Sequence, residues 1–252
     1  MLQQWPRYVW IVRHGESAGN LARHAAEAAS LPVVDLEIRD CDVPLSALGE
    51  RQADALGAWF AGLPEDERPT VILSSPYRRA LDTARRICRK IGEGAHEVIT
   101  DERLREREFG ILDRLTKIGI AMHEPQQAEL RKLLGKFYHR PPGGESWCDI
   151  ILRLRSVLDS MSIEFADERI LVVCHSVVVL CFRYLFERMT EDEIMAVDRT
   201  AEVANCSVTA YALDPSRAVR GSHMALESFN FVAPIEQAGE RVTLAPDEPL
   251  LR

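Results

Sequence analysis

Apolar positions along this chain recur with two different periods. Short β-rich runs, Tyr8 to Val12, Val71 to Leu73, Val98 to Thr100 and Ile170 to Cys174, read as strands. Ser207 to Leu213 and Met224 to Phe229 read as two final strands. Between them the period becomes helical. Leu48, Ala53, Ala55, Leu56, Trp59 and Phe60 line one face of a helix that Ser46 would cap. Helices are also expected over Ala18 to Ala29, Arg79 to Ile91, Ser146 to Met161 and Val177 to Met189. Pro32, Pro76 and the run Pro141-Pro142-Gly143-Gly144 punctuate them. Residues 110–140 are less regular and read as a lid or insertion.

Strand and helix alternate over most of the length. That predicts an α/β fold, a three-layer α/β/α sandwich on a mainly parallel sheet. Residues 1–252 read as a single domain. Open sheets of this kind take ligands beyond the carboxyl ends of their strands. Arg13-His14, Ser75 to Arg79, and His175 each follow a predicted strand, so one rim should collect cations and imidazoles.

Composition changes this picture in two ways. The net charge of −8 leaves no whole-chain basic footprint for nucleic acid, so any anion site must be a local cluster. The six cysteines form no C-x-x-C pair, and Cys174 and Cys181 sit in apolar stretches as expected of buried thiols. The longest apolar run, Val177 to Phe182, is too short for a bilayer. Without a signal-peptide pattern at the N-terminus, the expected compartment is cytoplasmic, with no membrane partner. Arg220 to Met224 looks like an expression-vector remnant, but the apolar alternation from Ala225 to Phe231 favours coincidence.

Residues 9–20, VWIVRHGESAGN, admit two nucleophiles. Gly15-Glu16-Ser17-Ala18-Gly19 fits the G-x-S-x-G elbow of serine hydrolases. That fold draws its oxyanion hole from an earlier strand, and the chain before Ser17 is too short to supply one. The other nucleophile is His14. Phosphoryl transfer needs cationic donors around the equatorial oxygens, a nucleophile in line and an acid for the leaving oxygen. Arg13 and Arg79 supply planar forks, and Leu104 to Gly110 offers Glu106 and Glu108 as acids. Outside these stretches, His24, His96, His123, His139 and His223 read as ordinary surface or core groups.

Arg13-His14-Gly15-Glu16-Ser17 with Asn20 resembles the signature of the histidine phosphatase superfamily, which includes cofactor-dependent phosphoglycerate mutases. Further stretches match in order: Asp42 to Ser46 with Gly49 and Gln52, Ser75 to Ala80 with Thr83, Leu104 to Gly110, Gly144 to Ser146 with Arg153, Val172 to His175, and Asn205 to Val208. The resemblance implies that His14 is phosphorylated and that Arg13, Arg79 and His175 bind phosphoryl oxygens. It selects Glu106 over Glu108 as the acid and makes Asn20 a donor to substrate or phosphate; Ser17 reads as a phosphate-side hydrogen bonder or a helix cap. Lys117 falls where the mutases place a substrate lysine. The partner implied is a small phosphorylated substrate, with no metal and no cofactor; a homo-oligomer stays open.

Two departures bear on the reaction. Asn20 to Asp42 is longer than in typical mutases and lacks their short Thr-Gly turn. The mutases' tryptophan with paired arginines after the acid motif is also missing; Arg131, Lys132 and Lys136 are all this segment offers. Cys174-His175-Ser176 is closer to fructose-2,6-bisphosphatase domains of the same superfamily. The expected activity is therefore a phosphomonoesterase with a phosphohistidine intermediate. The alternatives are a 2,3-bisphosphoglycerate-dependent phosphoglycerate mutase, or a non-catalytic phosphoester-binding protein on the same fold.

Overall fold

The computed structural model describes residues 5–92 and 97–244. Six strands form one sheet in the order β3-β2-β4-β1-β5-β6. β1 (Tyr8–Arg13), β2 (Val71–Ser74), β3 (Ile99–Thr100) and β4 (Arg169–Cys174) run parallel. β5 (Val208–Leu213) is antiparallel to β1, and β6 (Met224–Phe231) antiparallel to β5. β1 and β4 lie at the centre, every residue after the first being buried. Strands buried on both faces read as continuous apolar runs, which is why both were legible.

Helices cover both faces. Trp10, Val12, Ile72, Leu171 and Val173 face α2 (Ala47–Ala61), α3 (Arg78–Ile91) and α9 (Ala233–Gln237). Val9, Ile11, Leu73, Ile170 and Val172 face α6 (Trp147–Glu164) and α7 (Ser176–Phe186). The alternation of Val9 to Val12 between the two cores follows from the two-residue period of a strand. α8 (Glu191–Thr200) adds Ile194 and Met195 to the α7 side. Its start is a capping box, Thr190 with Glu193, that the apolar pattern alone did not reveal.

Residues 110–140 are more regular than their pattern suggests. They hold α4 (Lys117–His123) and α5 (Pro125–Tyr138), the latter kinked at Gly135. The sequence missed them because much of their apolar surface stays exposed: Ile118, Met122, Leu130, Leu133 and Leu134 all face outward. Val33 bridges Leu115, and Thr116 donates through N to Pro32 O and through Oγ1 to Leu31 O, at 3.0 and 2.6 Å. Gly119 is required in that contact, since a Cβ there would lie 1.8 Å from Pro32 O.

All six cysteines are unbridged, and Cys174, Cys181 and Cys206 are buried. Arg220 to Met224 is an integral part of the fold. Arg220 pairs with Glu193, Ser222 is buried, and Met224 opens β6 opposite Leu213. No helix among the described residues is long and apolar enough to cross a membrane.

Candidate active site

β1 delivers Arg13 and His14 to the rim, and the strand pairing continues one residue further as His14 N donates to Cys174 O at 2.9 Å. The chain then turns at Gly15, which packs against Gly49; a Cβ on Gly15 would meet Gly49 O at 2.5 Å. Gly15 N donates to Thr83 Oγ1 at 3.1 Å. Glu16 N donates to Gln52 Oε1 at 2.9 Å, and Asn205 Nδ2 to His14 O at 3.0 Å. Thr243 Oγ1 joins those last two supports, donating to Asn205 Oδ1 at 2.9 Å and accepting from Gln52 Nε2 at 3.1 Å. The loop carrying His14 is thus held from α2, from α3 and from residues 205 and 243.

The hydrogen bonds of His14 define one tautomer. Nδ1 lies 2.7 Å from Gly15 O, which can only accept, so Nδ1 carries the proton. Arg79 Nε, which can only donate, meets Nε2 at 3.3 Å. Nε2 therefore presents its lone pair toward Arg79, as a nucleophilic imidazole must. His14 and His175 are fully buried and their rings meet edge to face at 5.2 Å. His175 Nε2 contacts Ser75 Oγ at 2.8 Å, and its Nδ1 lies 3.5 Å from Glu106 Oε2.

Glu106 and Glu108 are separated clearly. Glu106 is 1% exposed against His175. Glu108 is half exposed and accepts from Tyr77 OH at 2.8 Å. Burial, and then that hydrogen bond, push the Tyr77 hydroxyl well above its ordinary range, so it stays a donor. Arg153 holds the acid loop from behind, donating to the carbonyls of Arg103 and Glu106 while pairing with Glu145.

Arg79 occupies the first turn of α3, with its guanidinium over the Tyr77 ring at 5.2 Å. Asp40 grips the same guanidinium: Nη1 donates to its carbonyl and Oδ1 at 2.7 and 3.0 Å, and Nη2 to Oδ2 at 3.0 Å. Arg13 is buried and donates to Val203 O at 2.7 Å. Asn20 and Ser17 form the capping box of α1 (Ala18–Ala28), and both also line the cleft above the site. Ser17 is committed to that cap and His175 to Ser75, so the two do not form a Ser–His pair.

That cleft is walled by Val34, Leu36, Ile38 and Phe109, with Arg23, Arg114, Asp113 and Asp40 among its polar groups and Arg79 and Glu106 at its base. Burial and the charge of Asp40 raise the Asp113 carboxyl above its usual range. Lys117 lies elsewhere, exposed at the start of α4 and outside the lining. His96 lies outside the described residues. Asp40, Asn205 and Thr243 had no role in the sequence reading. Asn205 could have been found from its place in the Asn-Cys-Ser-Val match, but nothing local singles out the other two.

Fold and site together define an α/β protein that gathers two histidines, two arginines and a carboxylic acid beyond its central strand ends. Residues 9–221 match the model of the histidine phosphatase superfamily (branch 1), and the chain belongs to that superfamily. A probable phosphoglycerate mutase GpmB of Yersinia enterocolitica is 31% identical over 69% of this chain and 71% of its own length. A probable fructose-2,6-bisphosphatase of Schizosaccharomyces pombe is 27% identical over 75% of this chain, which spans only 40% of that relative. A mycobacterial glucosyl-3-phosphoglycerate phosphatase solved with VO3 superposes with a TM-score of 0.68 at 23% identity, over 90% of this chain and 100% of that one. At that identity the likeness speaks for the fold.

Proposed function

We propose that the protein is a phosphomonoesterase acting on a small phosphorylated metabolite through phosphohistidine at His14. The observation that carries this is the tautomer of His14, proton on Nδ1 and lone pair on Nε2 facing the Arg79 guanidinium. Nε2 attacks phosphorus and the bond from phosphorus to the ester oxygen breaks. Glu106 gives its proton to that oxygen. Arg13, Arg79 and His175 stabilise the equatorial oxygens as charge builds. In the second half Glu106 takes a proton from water, the water oxygen attacks phosphorus, and His14 leaves as phosphate forms. No step calls for a metal or cofactor.

A phosphoglycerate mutase is the second reading, favoured by the GpmB relative. It shares the first step and differs in the acceptor, an alcohol in place of water. The missing tryptophan and paired arginines weigh for hydrolysis, as does the exposed position of Lys117 away from the cleft. A paired assay separates the two. One arm follows phosphate release from p-nitrophenyl phosphate, sugar phosphates and phosphoglycerates. The other follows interconversion of 3- and 2-phosphoglycerate primed with 2,3-bisphosphoglycerate. Phosphate release without interconversion is expected, and rapid interconversion with little free phosphate would establish the mutase. His14→Ala should lose turnover by on the order of 10⁴-fold with its fold intact by circular dichroism. Binding of phosphoesters with no turnover by the wild type would mark a non-catalytic binder.

A further inference from the structure

We propose that Asp40 is a positioning residue that acts as an internal exchange anion: it holds Arg79 when the site is empty, leaves when a phosphoryl group enters, and returns to expel the phosphate product. The inference rests on Arg79 being part of the phosphoryl site. The Asp40 carboxylate accepts from two N–H groups of Arg79, the Asp40 carbonyl from a third and His14 Nε2 from a fourth. A phosphoryl group bonded to Nε2 would need that fork for its own oxygens, so the two anions compete for one set of donors.

Burial points the same way. His14 has no exposed surface and the Arg79 side chain is 4% exposed, so the nucleophile is sealed under the arginine. The Asp40 side chain, in contrast, is 45% exposed. It sits in a 3₁₀ turn, Asp40–Asp42, on a segment whose buried anchors are Val34 and Val43. Residues 35 and 37–39 between those anchors are exposed. Asp40 can therefore swing into solvent without disturbing packed core, whereas Arg79 cannot. The cleft meets Arg79 beside Asp40, which puts the exchange on the path of entry.

An occupant that must be displaced weakens every ligand of the site by the fraction of molecules in the open state. A half-exposed ion pair of this geometry should account for roughly two- to fivefold in phosphate affinity. The test is calorimetric titration of the full-length protein with inorganic phosphate, which needs no turnover. Asp40→Ala should bind phosphate about two- to fivefold more tightly than wild type. Steady-state kinetics on p-nitrophenyl phosphate should show KM falling by a similar factor, with no gain in kcat. If Asp40→Ala does not fold by circular dichroism, Asp40→Asn is read in its place. Equal or weaker phosphate binding by the variant overturns the proposal, and weaker binding would mean that Asp40 braces Arg79 for the substrate. If neither protein binds phosphate, the reading of Arg79 as a phosphoryl ligand fails, and this inference with it.

Discussion

At the scale of single residues, the site turns on which atoms can give and which can take a proton. Glu106 and Glu108 are two positions apart in sequence, yet one is sealed against His175 and the other bonds Tyr77 near solvent. Glu106→Gln should therefore slow hydrolysis of sugar phosphates by about 10²–10⁴-fold, and of p-nitrophenyl phosphate much less, since nitrophenolate leaves unaided. Equal slowing for both substrates would count against Glu106 as the acid. Glu108→Gln should leave the ratio between the two substrates unchanged. His14, Arg13, Arg79, His175 and Glu106 could be picked out of the sequence as candidates because each sits in a contiguous motif. Asp40 was not, because its significance is a contact with Arg79 from 39 residues away. No local spacing encodes such a pairing.

At the scale of elements, the wall of the cleft is built by two segments zipped together, residues 31–36 and 114–119. Gly119→Ala would force a methyl into Pro32 O, so it should lower stability by about 1–3 kcal/mol and loosen that wall. Thermal unfolding reads the first effect and a raised KM the second. His139, buried at the end of α5, is a second weak point. Burial, then Arg131 and Arg107, hold its imidazole below the ordinary histidine range. The unfolded chain thus binds a proton more readily than the fold. The stability this group supports is full above about pH 6.5 and is lost as pH falls from there through the group's lower pKa in the fold. Urea denaturation between pH 7 and 5 should show a shallower decline for His139→Gln than for wild type; parallel curves would exclude His139 as the source. The helices of residues 110–140 escaped the sequence reading because their apolar side chains do not follow a buried stripe.

At the scale of the whole molecule, the parallel sheet core was readable because strands buried on both faces leave unbroken apolar runs. The antiparallel turn of the sheet at β5 and β6 was not, because strand direction is a property of connections and not of periodicity. The same sheet explains why the candidate groups converge although they lie up to 162 residues apart, from Arg13 to His175. Parallel neighbours end on one side, and β1 and β4 pair in register from Tyr8 with Arg169 to Arg13 with Cys174. Val172→Asp on the central strand should prevent folding outright, as an unpaired buried charge costs more than most of the stability of a chain this size.

Thr243 lies beyond the matched residues 9–221, yet it bridges the two side chains that hold the backbone around His14. A chain stopped at Gly239 should accordingly show native-like circular dichroism and a cooperative melt, while turning over substrate at least about tenfold more slowly, because small displacements at a reacting centre are that costly. Cleavage after Gly239 would then slow turnover and leave the scaffold standing.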